Sequence, residues 1–383
     1  MSPGATATST TISLTPAATI PYGTAATAMV TVSPTSGTVA GNVTVSVDGG
    51  AAITMALSGG SASFNLGVLG AGNHSLAANF AAQRSFLGSS ANGTLTVARA
   101  PLTITASNRS KTYGQTVTFA GTEFTAGGLV NADNVASVAL TSAGAAASAS
   151  VAGSPYPITP SAAVGTGLGN YNITYVNGTL TVSPALLTIT AGNATKILDA
   201  PNPSPLPWTP MGFVNGENAS VLTANPTCSA TTTTTSPVGT YPITCSGAAA
   251  PNYTFTYVAG TLKILYATAM GHVIQPPINA DGSSVYKQGR TVPAKFDVYD
   301  ANGVAIGTSG VVSSFFLTAI VSGTTTTTVD DVVDTNNPDT AFRWDGQEWI
   351  FNITTGNLSA GNTYVYTVTL NDGSTIVFQY GLR

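Results

Sequence analysis

Charge is what this sequence has least of. Lys and Arg number 11 and Asp and Glu 15 in 383 residues, so charged side chains make up 7%, against about 25% in ordinary soluble domains. The polar surface must come from Thr, Ser, Asn and Gly. A net charge of −4 with no basic patch argues against a nucleic-acid partner. The Glu, Lys, Gln and Arg that fill helix surfaces are scarce, whereas Thr, Val and Tyr favour strands, so the fold class is all-β. Histidine occurs twice, at His74 and His272, in different domains and turn-like contexts. That leaves no base for Ser/His/Asp chemistry. Carboxylate pairs are also wanting. Glu123 and Glu217 are alone in their domains, and Asp345 with Glu348 falls at a hairpin tip. The chain therefore reads as no enzyme, with no cofactor. No uncharged run has the uniform apolarity of a membrane span. The start lacks the basic and apolar regions of a secretory leader. Either a leader has been removed or the chain is the C-terminal part of a longer polypeptide. No sorting motif follows Gly381-Leu-Arg383.

Cysteine is limited to Cys228 and Cys245, flanking TTTTTSPVGTY. Their even count and close spacing across a hairpin point to a disulfide and an oxidising compartment, the other reading being a buried thiol pair.

What is present in abundance is repetition. NYNITYVNGTLTVSPALLTIT runs from Asn170 to Thr190. It returns as NYTFTYVAGTLKI at Asn252–Ile264, and its second half occurs as NGTLTVARAPLTIT at Asn92–Thr105. Tyr171, Ile173 and Tyr175 alternate with polar or smaller residues, the period of a half-buried strand. Asn177-Gly178 reads as a tight turn, both residues tolerating positive φ. Ser183-Pro184 breaks the sheet, so the phrase is a seam between domains. LTITASNRSKTYG at Leu102 matches LTITAGNATKILD at Leu187, and GLVNADNVASV at Gly128 matches GFVNGENASV at Gly212. SPYPITPS at Ser154 matches GTYPITCS at Gly239. Asp133 and Glu217 fall at equivalent positions, which suggests that both hold a loop.

These observations predict tandem immunoglobulin-like β-sandwiches arranged as beads on a string. The expected divisions are an extended tail at 1–10, a first sandwich at 11–99, repeats at 100–184 and 185–266, and a terminal sandwich at 267–383. The stretch SFNLGVLGAGNHSLAANF resembles bacterial Ig-like repeats. The LTIT, YPIT and NY-x-x-TY series of residues 100–265 resembles MBG-type repeats, which implies a stalk or spacer module. TVPAKFDVYDANG, with Pro293-Ala294-Lys295-Phe296, and FRWDGQEWIFNITTGNLSAGNTYVYTV together resemble the bacterial PxKF domain, a C-terminal attachment with no chemistry to carry over.

The last 118 residues hold 10 of the 15 acidic residues and two of the three tryptophans. Val292, Ala294, Phe296 and Val298 face one way, and Lys295, Asp297 and Tyr299 the other. Asp330, Asp331, Asp334 and Asp339 cluster as either a calcium site or a solvated loop, without EF-hand spacing. Lys295 and Asn352 are candidates for the isopeptide bond of some adhesin sandwiches, aided by Glu348 or Asp297. The plainer reading leaves Lys295 facing solvent. Trp344, Trp349, Tyr364 and Tyr366 form either core or a sugar-binding face.

The resemblances imply a non-enzymatic, secreted or surface-exposed bacterial protein, structural or adhesive, with rod-like beads and a docking or capping end. Strand addition to make a filament, and glycan or calcium binding by the last domain, are the alternatives. Expected partners are proteins or cell surfaces, copies of the chain itself, or glycans.

Overall fold

The computed structural model describes residues 4–83, 85–333 and 339–383. Strands dominate, joined by turns and four single-turn 3-10 segments, and no α-helix occurs among the described residues. The chain divides into two compact units, Met1–Pro184 and Ala185–Arg383.

The first unit begins with a sandwich of three and five strands. Thr8–Thr15, Ala26–Pro34 and Ser61–Gly67 form one sheet. Thr19–Pro21, Ser89–Ala98, Gly72–Phe80, Asn42–Val47 and Ile53–Ala56 form the other, in that order. The inward residues of both sheets, among them Val30, Val43, Phe64 and Phe80, are buried. Residues 8–10, expected in a free tail, are instead part of this sandwich. Thr8 and Thr10 lie 2.7 Å from the Ser89 hydroxyl, and Thr8 donates to the Leu87 carbonyl at 2.7 Å. A threonine run that looks like low complexity has the β-branched shape of a half-buried strand. Asp48 and Gly49, both at positive φ, turn Asn42–Val47 back onto Ile53–Ala56 as the Asp-Gly signal predicts.

The repeat that follows has seven strands in two sheets. Phe124–Gly127, Ala100–Ala106 and Tyr171–Val176 form one, and Arg109–Thr112, Gly178–Ser183, Tyr156–Thr166 and Asn134–Thr141 the other. The second repeat, in the second unit, has the same plan. Trp208–Met211, Ala185–Ala191 and Tyr253–Val258 face Ala194–Ile197, Gly260–Leu265, Gly239–Ser246 and Thr227–Ala230.

The seam phrase departs from its sequence reading in one respect. Tyr171–Val176 pairs in parallel with Ala100–Ala106, whereas Gly178–Ser183 pairs in the other sheet with Tyr156–Ile158. Asn177-Gly178 is therefore a step between sheets and no hairpin turn. The glycine is needed for room. A Cβ on Gly178 would lie 2.6 Å from the Ala106 carbonyl oxygen, and one on Gly260 2.5 Å from the Gly192 carbonyl oxygen.

Single residues, Arg99, Pro184 and Tyr266, separate the last strand of one module from the first strand of the next. The terminal module packs a five-stranded sheet (Val285–Tyr286, Thr375–Leu382, Asn362–Leu370, Val312–Ser322, Thr325–Val332) against Thr291–Phe296, Trp349–Thr354 and Arg343–Trp344. A two-stranded ribbon, Ala267–Gly271 with Val298–Tyr299, completes it. Val292, Ala294, Phe296 and Val298 are fully buried, as their alternation requires. Phe315 sits among Phe342, Phe351, Tyr366 and Phe378 with ring centroids 5.0–6.1 Å apart.

Candidate functional site

Each repeat folds its Gly-hydrophobic-Val-Asn loop back onto the tyrosine of its Asn-Tyr pair. The loop can start there because Gly128 and Gly212 have φ of +104° and +115° and closely approach the Pro101 and Leu186 carbonyls. In the first repeat the Tyr171 hydroxyl accepts the Val130 N–H at 2.9 Å and donates to Asp133 Oδ2 at 2.8 Å. In the second, the Tyr253 hydroxyl accepts the Val214 N–H at 3.1 Å and donates to Glu217 Oε2. The equivalent carboxylates thus hold loops, as their positions suggest. Burial, helped by Asp133, raises the pKa of Tyr171, so the phenol stays a donor.

In the first unit this latch receives a second tyrosine. The Tyr22 hydroxyl donates to Asp133 Oδ2 at 2.9 Å, and its ring meets Tyr171 edge-on at 5.5 Å. Gly23 next to it lies against Val130, with no room for a side chain. Alongside, Asn170 Oδ1 accepts the Ala71 N–H at 2.8 Å. The first sandwich is therefore tied to the repeat by a phenol, a carboxylate and an amide. Tyr22, Tyr113 and Leu198 all follow a short strand that pairs in parallel with the module's last strand. Each donates its N–H at 2.8 Å to the closing carbonyl, of Ala98, Ser183 and Leu265 respectively.

The second unit has a joint of its own. The Leu198 carbonyl accepts the Ala301 N–H at 2.9 Å, and Leu198 and Val238 pack on the terminal core. Asp372 Oδ2 accepts the Tyr266 N–H at 3.0 Å, and burial pushes the Tyr266 phenol up to about 12. Nearby, His272 Nε2 lies 3.1 Å from Ser374 Oγ, so a serine, a histidine and an aspartate do come together. The order is wrong for a relay. Asp372 accepts from Ser374 and not from the His272 imidazole. A nucleophilic serine needs the carboxylate on the imidazole. Burial lowers the His272 pKa, and the site reads as a clamp on the ribbon.

Two of the five lysines are buried, which their residue type does not announce. Lys111 Nζ donates to the Gln115 and Ala146 carbonyls, and Lys196 Nζ to those of Ala200 and Thr233. Desolvation lowers both pKa values. The signal available was their equivalent position in the two LTIT segments.

The sequence-nominated residues fall as follows. Cys228 and Cys245 stand opposite each other on paired strands and form a disulfide. Asp330 and Asp331 are exposed neighbours on one strand, beside a cleft of about 420 Å³. Asp339 accepts the Asn352 N–H at 2.6 Å and pairs with Arg343. Asp334 lies outside the described residues, and among the described ones no group of three metal-ligating side chains forms. Lys295 stands across from Ile350 and pairs with Glu348, and Asn352 stands across from Pro293 on the same outer face. Trp349, Tyr364 and Tyr366 are core, and the Trp349 indole donates to the Ile306 carbonyl at 2.7 Å. Trp344 is only half-buried. With Gly307, Phe315, Phe342 and Arg343 it lines a cleft of about 570 Å³. The rim of this cleft includes Val333 and Thr340, on either side of residues 334–338, which are not described.

With this geometry in hand, comparison with known proteins identifies the middle of the chain. Residues 102–181 and 187–263 each match the MBG domain (YGX type). The chain thus carries tandem MBG-type repeats. No curated protein matches it. Among solved structures it is similar to SGBP-B of the Bacteroides ovatus mixed-linkage glucan utilization locus, solved with a mixed-linkage heptasaccharide. The identity is 14%, over 95% of this chain and 65% of that one, with a TM-score of 0.16. It is also similar to surface layer protein SbsC, domains 4–9, at 11% identity over 98% of this chain and 65% of that one, again with a TM-score of 0.16. The chain spans about 65% of the length of each. No helix among the described residues is long and apolar enough to cross a membrane.

Proposed function

We propose that this is a non-enzymatic extracellular protein of a bacterial surface or appendage, structural and adhesive. Its Ig-like, MBG-type and terminal PxKF-type sandwiches run in series as a rod-like stalk, and the terminal module docks or caps. One observation carries the reading. The acids and phenols that a reactive site would use are engaged in holding loops and joints: Asp133 with Tyr171 and Tyr22, Glu217 with Tyr253, Asp372 with the Tyr266 N–H. The disulfide supports an oxidising compartment. Small-angle scattering tests the stalk. Deleting residues 185–266 shortens the maximum dimension by about one module if the modules run in series, and a compact particle of little-changed dimension contradicts it.

The Trp344 cleft favours a second reading, a terminal module that grips glycan. The half-buried Trp344 indole, beside Arg343 on the cleft wall, would offer a sugar both a stacking edge and donors. Binding on a glycan array that disappears in Trp344→Ala supports this role, and the stalk reading does not depend on it. Calcium at Asp330 and Asp331, which line the neighbouring cleft, is a further variant, read by titration of the full chain with the ion.

A further inference from the structure

The joint between the first sandwich and the first repeat contains a titratable group that the tyrosine latch does not use. His74 opens the strand Gly72–Phe80 and has an acceptor at each ring nitrogen. Asp48 Oδ2 lies 2.7 Å from Nδ1, and the Gly70 carbonyl oxygen 2.8 Å from Nε2. A carbonyl oxygen and an ionised carboxylate only accept, so both bonds exist together only when both nitrogens carry hydrogen, and that imidazole is the cation. Asp48 is fixed independently, since its other oxygen accepts the Ser75 N–H at 2.8 Å.

The Gly70 carbonyl and the Ala71 N–H belong to one planar peptide. Its oxygen faces His74, and its N–H faces Asn170 of the following repeat at 2.8 Å. Holding the oxygen therefore aims the N–H. We propose that charged His74 orients the Gly70–Ala71 peptide and so closes this side of the joint, making the joint between the first sandwich and the first MBG-type repeat tighter when His74 is protonated.

Deprotonation leaves the imidazole one N–H. The carboxylate is the stronger acceptor and keeps it at Nδ1. A lone pair at Nε2 then opposes the Gly70 oxygen, and flanking glycines let the peptide turn. The charged groups around the site are few. Asp48 is the one acting on His74, Asp133 across the joint is bound to Tyr22 and Tyr171, and Arg99 is the connector. The hydrogen bond to Asp48, then that to Gly70, raises the His74 pKa above 6.5, and His74 in turn lowers that of Asp48 below 3.8. For a raised pKa, the contribution is complete below 6.5 and is lost as pH climbs through the higher folded value. Asp48 remains ionised across that range. The joint therefore loosens as pH rises above 6.5 through the raised folded value.

Nitrogen-resolved NMR of the full chain tests this. Below the His74 transition both ring nitrogens show protonated shifts. Raising the pH through it reduces protection of the Ala71 amide on the order of tenfold beyond the intrinsic rise in exchange, while Val45 in the core is unchanged. Alignment tensors of residues 11–98 and 100–183 diverge with the same midpoint. In His74→Gln the pH step vanishes, and in Asp48→Asn its midpoint falls. Ala71 protection that follows intrinsic exchange alone, or a step that survives in His74→Gln, overturns the proposal.

Discussion

At the scale of single residues, the molecule uses its few polar groups of high capacity as fasteners. Tyr171 and Tyr253 are 38 and 36 residues from the acids that they bind, so the sequence could show that Asp133 and Glu217 are equivalent without showing what they hold. The same limit hid Tyr22, whose partner is 111 residues away. The buried lysines were hidden for another reason. Lysine is mostly a surface residue, and backbone carbonyls, which no sequence motif marks, are what make burial tolerable here. Replacing Tyr171 by Phe keeps the ring and removes the hydroxyl, leaving the Val130 N–H and Asp133 without it. The expected loss is about 1–3 kcal/mol in urea denaturation of the first unit's transition. An unchanged midpoint means that the latch holds nothing.

At the scale of elements, periodicity was legible wherever one face of a strand is buried. The run Val292 to Val298 is the clearest case: four residues at 0% exposure alternate with partly exposed ones. Elements whose role depends on the opposite sheet were not legible. Asn177-Gly178 has the composition of a hairpin turn, but parallel pairing of Tyr171–Val176 sends the chain across to the other sheet, and only the neighbouring carbonyls distinguish the two outcomes. Glycine at this step answers to space. Gly260→Ala places a methyl group against two carbonyl oxygens at 2.5 and 2.6 Å and is expected to cost about 1–3 kcal/mol in the second unit. Gly169→Ala, with nothing within 4 Å, is the control and stays within about 0.5 kcal/mol. Equal effects at the two positions would show that the close approach is not what selects glycine.

At the scale of the whole molecule, fold class and repetition followed from what the chain lacks and what it repeats, whereas the joints followed from neither. Within each unit the one-residue connectors Arg99 and Tyr266 leave neighbouring modules little slack, and hydrogen bonds between those modules supply what a linker sequence cannot show. If the modules bear load in series, as proposed above, single-molecule extension of the full chain releases them one at a time. Separate unfolding steps are expected, with lengths corresponding to residues 8–99, 100–184, 185–266 and 267–383, at about 3.6 Å per residue released. The step for 185–266 lengthens when the reductant opens Cys228–Cys245, whose loop spans 17 positions. One cooperative release of the whole chain, or steps that cut across positions 99, 184 and 266, would contradict that proposal.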